Sequence, residues 1–235
     1  MFDAKTSINA FLSNLTVVPA TLGLALLIMI LAIALGAVLA LLQMYKVPLL
    51  GKVVTVFISF MRGTPLLVLL YIIYFSLPEI AASTGKLFNL TIDPNNVSPV
   101  FSVIISFSLY MSAFQAENIK GALVSVEYGQ MEAAYSIGLT TFQAFVRIIF
   151  PQALIVAVPN FCNAYIGTIK SLSLAFTVGV VDILAKAKLN SALNFRYIES
   201  YVAAALVYWI LCIVLTCIFS KLEIDLRRGR AEVAS

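Results

Sequence analysis

Uncharged, apolar runs long enough to cross a bilayer recur along the chain, divided by short polar segments. No charged residue occurs from Thr6 to Tyr45, and Val17 to Leu42 is almost wholly apolar. About 20 apolar residues cross a hydrocarbon core, so this run predicts a first transmembrane helix. Lys46, Pro48, Gly51 and Lys52 form a short basic connection. Val53 to Leu77 is then apolar apart from Ser, Thr and the single Arg62, which predicts a second crossing bent near Gly63 and Pro65. Residues 78–99 carry Gly85, Pro94 and Pro99 among Asn, Asp and Ser, and are expected to form an external loop. Val100 to about Ala116 predicts a third helix, short for a crossing unless it continues through Glu117 toward Lys120.

The chain turns polar and weakly amphipathic over residues 121–147, then is uncharged from Ile148 to Ile169. That fourth apolar segment has Pro151 near its start, Pro159 inside and Gly167 shortly before Lys170, and a further apolar run follows from Leu172 to Val181. A broken or re-entrant element is expected there. Lys186 to Arg196 reads as a polar loop, and Ser200 to Ser220 as a fifth crossing containing Tyr208 and Trp209. Without a repeat or a Gly/Ser-rich linker, the expectation is a single transmembrane domain over 1–235, an all-α membrane protein of about five helices. Five crossings put the termini on opposite sides. The tail residues Arg227, Arg228 and Arg230, with Lys46 and Lys52, favour a cytosolic C-terminus, although Lys186, Lys188 and Arg196 then lie outside and weaken the charge argument.

Composition narrows the class further. The chain is 62% hydrophobic and 11% charged with mean hydropathy +1.03, against roughly 25% charged residues in soluble domains. The net charge is +4, but the basic residues cluster at membrane edges with no stripe interleaved with exposed aromatics, so they report topology and not nucleic-acid binding. There is no His, and Cys162, Cys212 and Cys217 all lie in apolar segments, which speaks against a metal site, Cys–His catalysis or a disulfide framework. Lys5 beside Asp3 precedes an uncharged stretch far longer than a signal-peptide core, and no small-residue cleavage site follows, so the first helix is expected to be retained.

Within the polar segment, Glu132-Ala133-Ala134 is followed after three residues by Gly138, after nine more by Ile148, and then by Phe150-Pro151. This spacing resembles the signature of permease subunits of bacterial ABC importers, with Phe150 where the signature has Leu. Phe60-Met61-Arg62-Gly63-Thr64-Pro65-Leu66-Leu67 is similar to a run of permeases serving polar amino acids, with Met61 as an extra residue. Similar runs occur at Gly129 to Ala134, Pro151 to Leu154, Lys170 to Leu174 and around Tyr208-Trp209, so the resemblance covers nearly the whole chain. It implies the type I importer permease architecture in a bacterial cytoplasmic membrane. The implied partners are two cytosolic ATPase subunits, a second permease subunit and an external amino-acid-binding protein.

The resemblance assigns residues 121–147 as a cytosolic coupling loop whose short helix docks on the ATPase. Glu132 can meet a basic partner, Ala133 and Ala134 permit close packing, Gly138 permits a sharp helix exit, and Pro151 stiffens the return into the fourth helix. Glu-Ala-Ala alone would be common in any helical loop. The Gly, Ile and Pro spacing between membrane flanks is what separates docking from chance. No Gly-x-x-x-x-Gly-Lys-Ser/Thr loop occurs, so ATP and Mg are expected on the partner ATPase and no cofactor on this chain, which is not itself an enzyme.

Two intramembrane charges need a partner or water. Arg62 sits in apolar sequence, where an unpaired charge costs about 3 kcal/mol on insertion scales. Glu117 is the expected ion-pair partner, in an architectural or gating role shared with Gly63, Thr64 and Pro65, while simple snorkelling to the cytosolic edge is the plainer alternative. Lys170, the second buried-charge candidate, has Asn163, Thr168, Ser171 and Ser173 around the expected break in the fourth helix. These groups could either hydrogen-bond a zwitterionic solute or satisfy the backbone of a kinked helix. Family members often have an acid and a Thr where this chain has Ser171 and Leu172, which implies poorer suitability for a cationic amino acid. Asn194 to Tyr201 with Tyr208-Trp209 resembles cystine permeases. An ion-coupled carrier using Arg62, Glu117, Lys170 and Asp182 is the competing reading, but inverted repeats are not visible. A membrane enzyme would need a His or a paired acidic motif inside the helices.

Overall fold

Ten α-helices and no strand are found among the residues that the computed structural model describes, 2–45, 47–87 and 97–233. Five segments are long and apolar enough to cross a membrane: Val18–Met44, Leu66–Gly85, Pro99–Val124, Thr141–Val178 and Tyr197–Leu226. The expectation of five crossings therefore holds. Lys46 and Pro94 lie outside the described residues.

Helix α1 (Ala4–Leu15) precedes the first crossing, α2 (Val18–Met44). Asp3 caps α1 by accepting the Lys5 N–H, an element that the apolar pattern did not predict. The stretch expected as one bent crossing is two helices, of which only the second is long and apolar enough to cross. Helix α3 (Leu50–Gly63) ends at Thr64, whose φ of −106° and ψ of 137° are extended, and α4 (Leu66–Leu87) begins after Pro65. Proline excludes the helical region for the residue before it, so Thr64-Pro65 stops α3 outright. Helix α4 then runs through Pro78 to Leu87, so the expected loop at 78–99 is largely helical at its start. Residues 88–96 of that loop lie outside the description.

Helix α5 (Pro99–Val124) continues past Ala116 through Glu117 and Lys120, which makes it a full crossing. Ala20 and Thr21 of α2 share a cavity of about 310 Å³ with Val100 of α5, so both helices start at one end of the molecule. At the other end Lys120 Nζ donates to Gln43 Oε1 at 3.0 Å. The two helices run side by side in the same direction. Lipid is as apolar as Leu and does not press helices together, so association relies on close approach of small residues. Helix α2 buries Ala25, Ala32, Gly36 and Ala40, and α5 buries Ser102, Ser106, Ser112 and Ala116. Ile28, Leu70, Phe107, Ile169 and Leu172 fill the centre where α2, α4, α5 and the fourth crossing meet.

Beyond α5 the chain leaves the bundle through α6 (Gly129–Ser136) and α7 (Thr141–Ala144), and re-enters through a π-helical turn, Phe145–Ile149, into α8 (Phe150–Ser171). Helix α8 passes Pro159 and Gly167 without breaking, contrary to expectation. The change comes at Leu172–Val178, a tighter 3₁₀ segment that Gly179 closes at φ 89°. Lys186 to Arg196 is not a loop: α9 (Ile183–Asn194) occupies it, followed by α10 (Tyr197–Val233).

Asp182 explains why α9 forms. It is 3% exposed, its carboxylate accepts the Ala185 N–H at 2.9 Å as the N-cap, and Tyr208 Oη donates to it at 2.6 Å. Asp182→Ala removes the cap and leaves a buried hydroxyl without its acceptor, an expected loss of about 2 kcal/mol. In a detergent melt that is a fall of roughly 4–8 °C in Tm, and Tyr208→Phe should cost about half as much. A melt unchanged by Asp182→Ala would show that this contact does not hold α9.

Candidate functional site

Helix α6 stands at the end of the bundle where α5 finishes, outside the membrane-crossing lengths, and α7 begins the fourth of them, Thr141–Val178. The path between them is fixed by two local devices. After α6, Gly138 at φ 83° donates its N–H to Tyr135 O, and Leu139 N–H reaches back to Ala134 O at 3.1 Å. This is a Schellman closure, which needs a left-handed residue at the Gly138 position. Thr140 then starts α7 with a reciprocal cap, its hydroxyl accepting from Gln143 N–H while Gln143 Oε1 accepts from Thr140 N–H.

The residues expected to dock divide by face. Ala134 is 1% exposed and packs inward, whereas Glu132 and Ala133 point away from the bundle, Glu132 in the first turn of α6. Around them Tyr128 is 83% exposed, Ile137 75% and Phe142 75%. Tyr128 and Ile137 lie outside the crossing segments and Phe142 at the very start of the fourth, and three large apolar side chains beside one acid make a surface suited to a protein partner. Sequence reasoning missed these three. Each is an apolar residue in a polar segment, and that contrast was the available signal. Pro151 lies in the first turn of α8, and Gln152 Nε2 donates to Gln130 Oε1 at 3.3 Å, tying the start of α8 to α6. The intervening π turn packs on α6, which sets α6 against the base of the fourth crossing.

Arg62 and Glu117 are not joined by an ion pair among the described residues. The Arg62 guanidinium lies over the Phe114 ring, 5.7 Å from its centroid, three residues before Glu117 on α5. Such a contact is worth about 0.5–1 kcal/mol and needs no carboxylate. Gly63, Thr64 and Pro65 form the break after Arg62, where Thr64 Oγ1 donates to Phe60 O at 2.8 Å.

Lys170 is exposed on the surface of the chain and is not a buried charge; Asn163 is exposed on the same helix. Thr168 is fully buried and donates to Ala164 O at 2.9 Å, Ser171 Oγ donates to Gly167 O at 3.0 Å, and Ser173 Oγ to Lys170 O at 2.8 Å. The hydroxyls therefore bond the helix backbone. Beside them a groove of about 380 Å³ runs between α5 and α8, lined by Tyr110, Phe114, Gln115, Asn118, Asn160 and Ser171. Gln115 is fully buried and its Nε2 has no hydrogen-bond partner. The four charges of an ion-coupled carrier do not form one cluster. Asp182 is engaged by Tyr208 and the start of α9, while Arg62 stacks on Phe114.

Residues 32–228 match the family described as binding-protein-dependent transport system inner membrane component. The chain is 42% identical over 212 residues to the probable amino-acid permease protein YxeN of Bacillus subtilis (strain 168), covering 90% of each. It is 34% identical over 229 residues to the L-cystine transport system permease protein TcyL of the same organism, covering 97% of this chain and 93% of that one. In three dimensions it superposes with a TM-score of 0.80, at 25% identity, on a chain from the crystal structure of an amino acid ABC transporter with histidines, covering 96% of this chain and 99% of that one. A MetNI methionine ABC transporter chain shares the fold, with a TM-score of 0.70 over 90% of this chain.

Proposed function

This chain belongs to the binding-protein-dependent transport system inner membrane component family, and from that membership we propose that it is the permease subunit of an amino-acid ABC importer whose solute is a polar amino acid, cystine first among them. The observation that carries the reading is the α6 surface: Glu132 among exposed Tyr128, Ile137 and Phe142, at the end of the bundle where the fourth crossing begins, and tied to α8. Each of two cytosolic ATPase subunits, which hold ATP and Mg, receives one such surface. Closure of the ATPases displaces α6, and the π turn passes that displacement to α8, opening the bundle outward. Hydrolysis resets it inward.

Asn160, Asn163 and Lys170 are exposed on a crossing helix, where lipid would be a poor solvent for them. A second permease subunit and the solute path cover that face, with the α5–α8 groove receiving the solute's polar groups. The groove carries amides and hydroxyls, Arg62 lies over its Phe114 and Lys170 precedes its Ser171 in the chain, which favours a zwitterionic or acidic solute over arginine. An external binding protein delivers the solute, the C-terminus faces the cytosol, and the membrane is the bacterial cytoplasmic one.

The test is reconstitution in liposomes with the cognate ATPase and binding protein. Cystine uptake is expected only when ATP, ATPase and binding protein are all present, with excess unlabelled cystine competing and arginine not. Uptake driven by an ion gradient with no ATP would overturn the importer reading. ATP-dependent uptake that cystine fails to compete would overturn the solute alone.

A further inference from the structure

Helix α1 buries Ser7 and Asn14 beside Ala10 and packs Phe11 inward, while its outer face carries Ile8, Leu12 and Leu15 together with Lys5 and Asn9. Ser7, Ala10 and Asn14 face α9 and α10, Ser7 Oγ donating to Glu199 O at 3.4 Å, while Ile8 (61% exposed), Leu12 (57%) and Leu15 (41%) form the outer stripe at helical spacing. A helix solvated by water would show the opposite arrangement. Only Thr16 and Val17 separate Leu15 from Val18, the first residue of a crossing helix. Leu15 thus lies within about 10 Å of the point where the chain enters hydrocarbon. Leu26, Leu27 and Ile30 of α2 carry the exposed apolar surface onward. At the other end of α1, Phe2 shares a groove with Phe195, Arg196, Tyr197, Ile198 and Glu199, a mixture of apolar, charged and Tyr side chains that suits a membrane–water boundary. Lys5, exposed on the first turn, can reach headgroup phosphates.

We infer that α1 is an interfacial helix whose partner is lipid: its Ile8–Leu12–Leu15 face sits in the membrane leaflet opposite α6, the outer leaflet in the orientation proposed above, and holds α9 and the start of α10 against the bilayer. The occupant is lipid because the stripe is continuous with a surface already facing hydrocarbon and is joined to it by two residues. The inference rests on the membrane crossings alone and stands whatever solute the protein carries.

A nitroxide scan of the full assembled complex in phosphatidylethanolamine–phosphatidylglycerol vesicles tests this. Cys162, Cys212 and Cys217 are first replaced by alanine, and single cysteines are introduced at Ile8, Leu12 and Leu15. Ile210→Cys serves as a lipid-facing reference and Lys52→Cys, exposed in the connection before the second crossing, as an aqueous one. Labels at 8, 12 and 15 are expected to favour oxygen over a water-soluble nickel chelate as Ile210 does, at a depth of about 5–10 Å below the phosphates. Lys5→Cys should fall between the two references. Nickel accessibility at 12 and 15 equal to that at Lys52 would overturn the inference in favour of an aqueous cap. Exclusion of both quenchers would overturn it in favour of a protein partner, which could be a second copy or the solute-binding protein.

Discussion

Glu132→Lys combined with Gly138→Asp is expected to reduce ATP-dependent uptake to background while the chain still inserts and melts as the unaltered protein does. Gly138 is at φ 83°, where a side chain costs roughly 1–2 kcal/mol, and this position sets the angle at which α6 leaves toward α7. No atom lies within 4 Å of a Cβ built there, so the penalty is conformational and not a clash. The Schellman closure loosens and the Tyr128–Ile137–Phe142 surface loses its shape. Glu132→Lys adds repulsion toward a basic partner, at a cost of about tenfold in affinity per 1.4 kcal/mol. Because α6 and α7 lie outside the bundle, the core remains intact. The discriminating measurement is co-purification of the ATPase alongside uptake: both should fall together. Full uptake by the double variant would show that this loop does not couple ATP to transport. Gly138→Ala alone, with the strain but without the charge, should give a partial loss.

Gly36→Leu is expected to separate α2 from α5 and to destabilise the chain more than any other single substitution described above. A Cβ at position 36 would meet Gln115 Cβ at 2.8 Å, Ala116 N at 3.0 Å and Ser112 O at 3.0 Å. Two of those three atoms are backbone and cannot rotate away, so α5 itself must move. Overpacking of this kind costs typically 1–3 kcal/mol even for a few added atoms, and Leu adds a branched side chain to the same contact. At roughly 2–4 °C per kcal/mol, Gly36→Ala should lower Tm by several degrees, and Gly36→Leu should prevent recovery of a folded protein from the membrane. A Gly36→Leu chain that melts normally in detergent would mean that α2 and α5 do not pack this closely. Gln115 lines the groove proposed for the solute from the same contact, so Gly36→Ala should also slow transport in protein that does fold.

How far the fold could be read from the chain depended on what kind of signal each element carries. An apolar run of bilayer length is a local property, so α2, α5 and α10 were legible directly. Helix α5 was legible even in its continuation through Glu117. Helix α9 was not, because Lys186, Lys188 and Asn190 look like a loop until Asp182 caps them and Ile183, Ala185 and Ala187 find a buried face. Helix α1 was hidden for the opposite reason: Ile8, Leu12 and Leu15 face outward and Ser7 and Asn14 inward, which defeats any rule that sends polar residues to solvent. The pairing of Arg62 with Glu117 rests on charge alone in the sequence, whereas in the structure the guanidinium lies over the Phe114 ring. Likewise, Lys170 was expected to be buried because its neighbours are apolar, but helix rotation turns it outward.

What the sequence by itself determined is the class, the number of crossings and the place of the α6–α7 segment between the third and fourth of them. It could do so because transfer of a segment into lipid depends on that segment's own length and polarity. Its spacing of Glu132, Gly138 and Pro151 also marked where to look for a cytosolic partner. Only the tertiary structure decided that Ala134 turns inward while Glu132 and Ala133 turn outward, and that Tyr128, Ile137 and Phe142 join them. It also decided that Arg62 rests on Phe114, that α1 shows its apolar stripe to the surroundings, and that Gly36 is the point where α2 and α5 nearly touch. These are relations between residues far apart in the chain, as much as 192 positions for Ser7 and Glu199. They depend on helix rotation and register, which close packing sets and no local run of residues encodes.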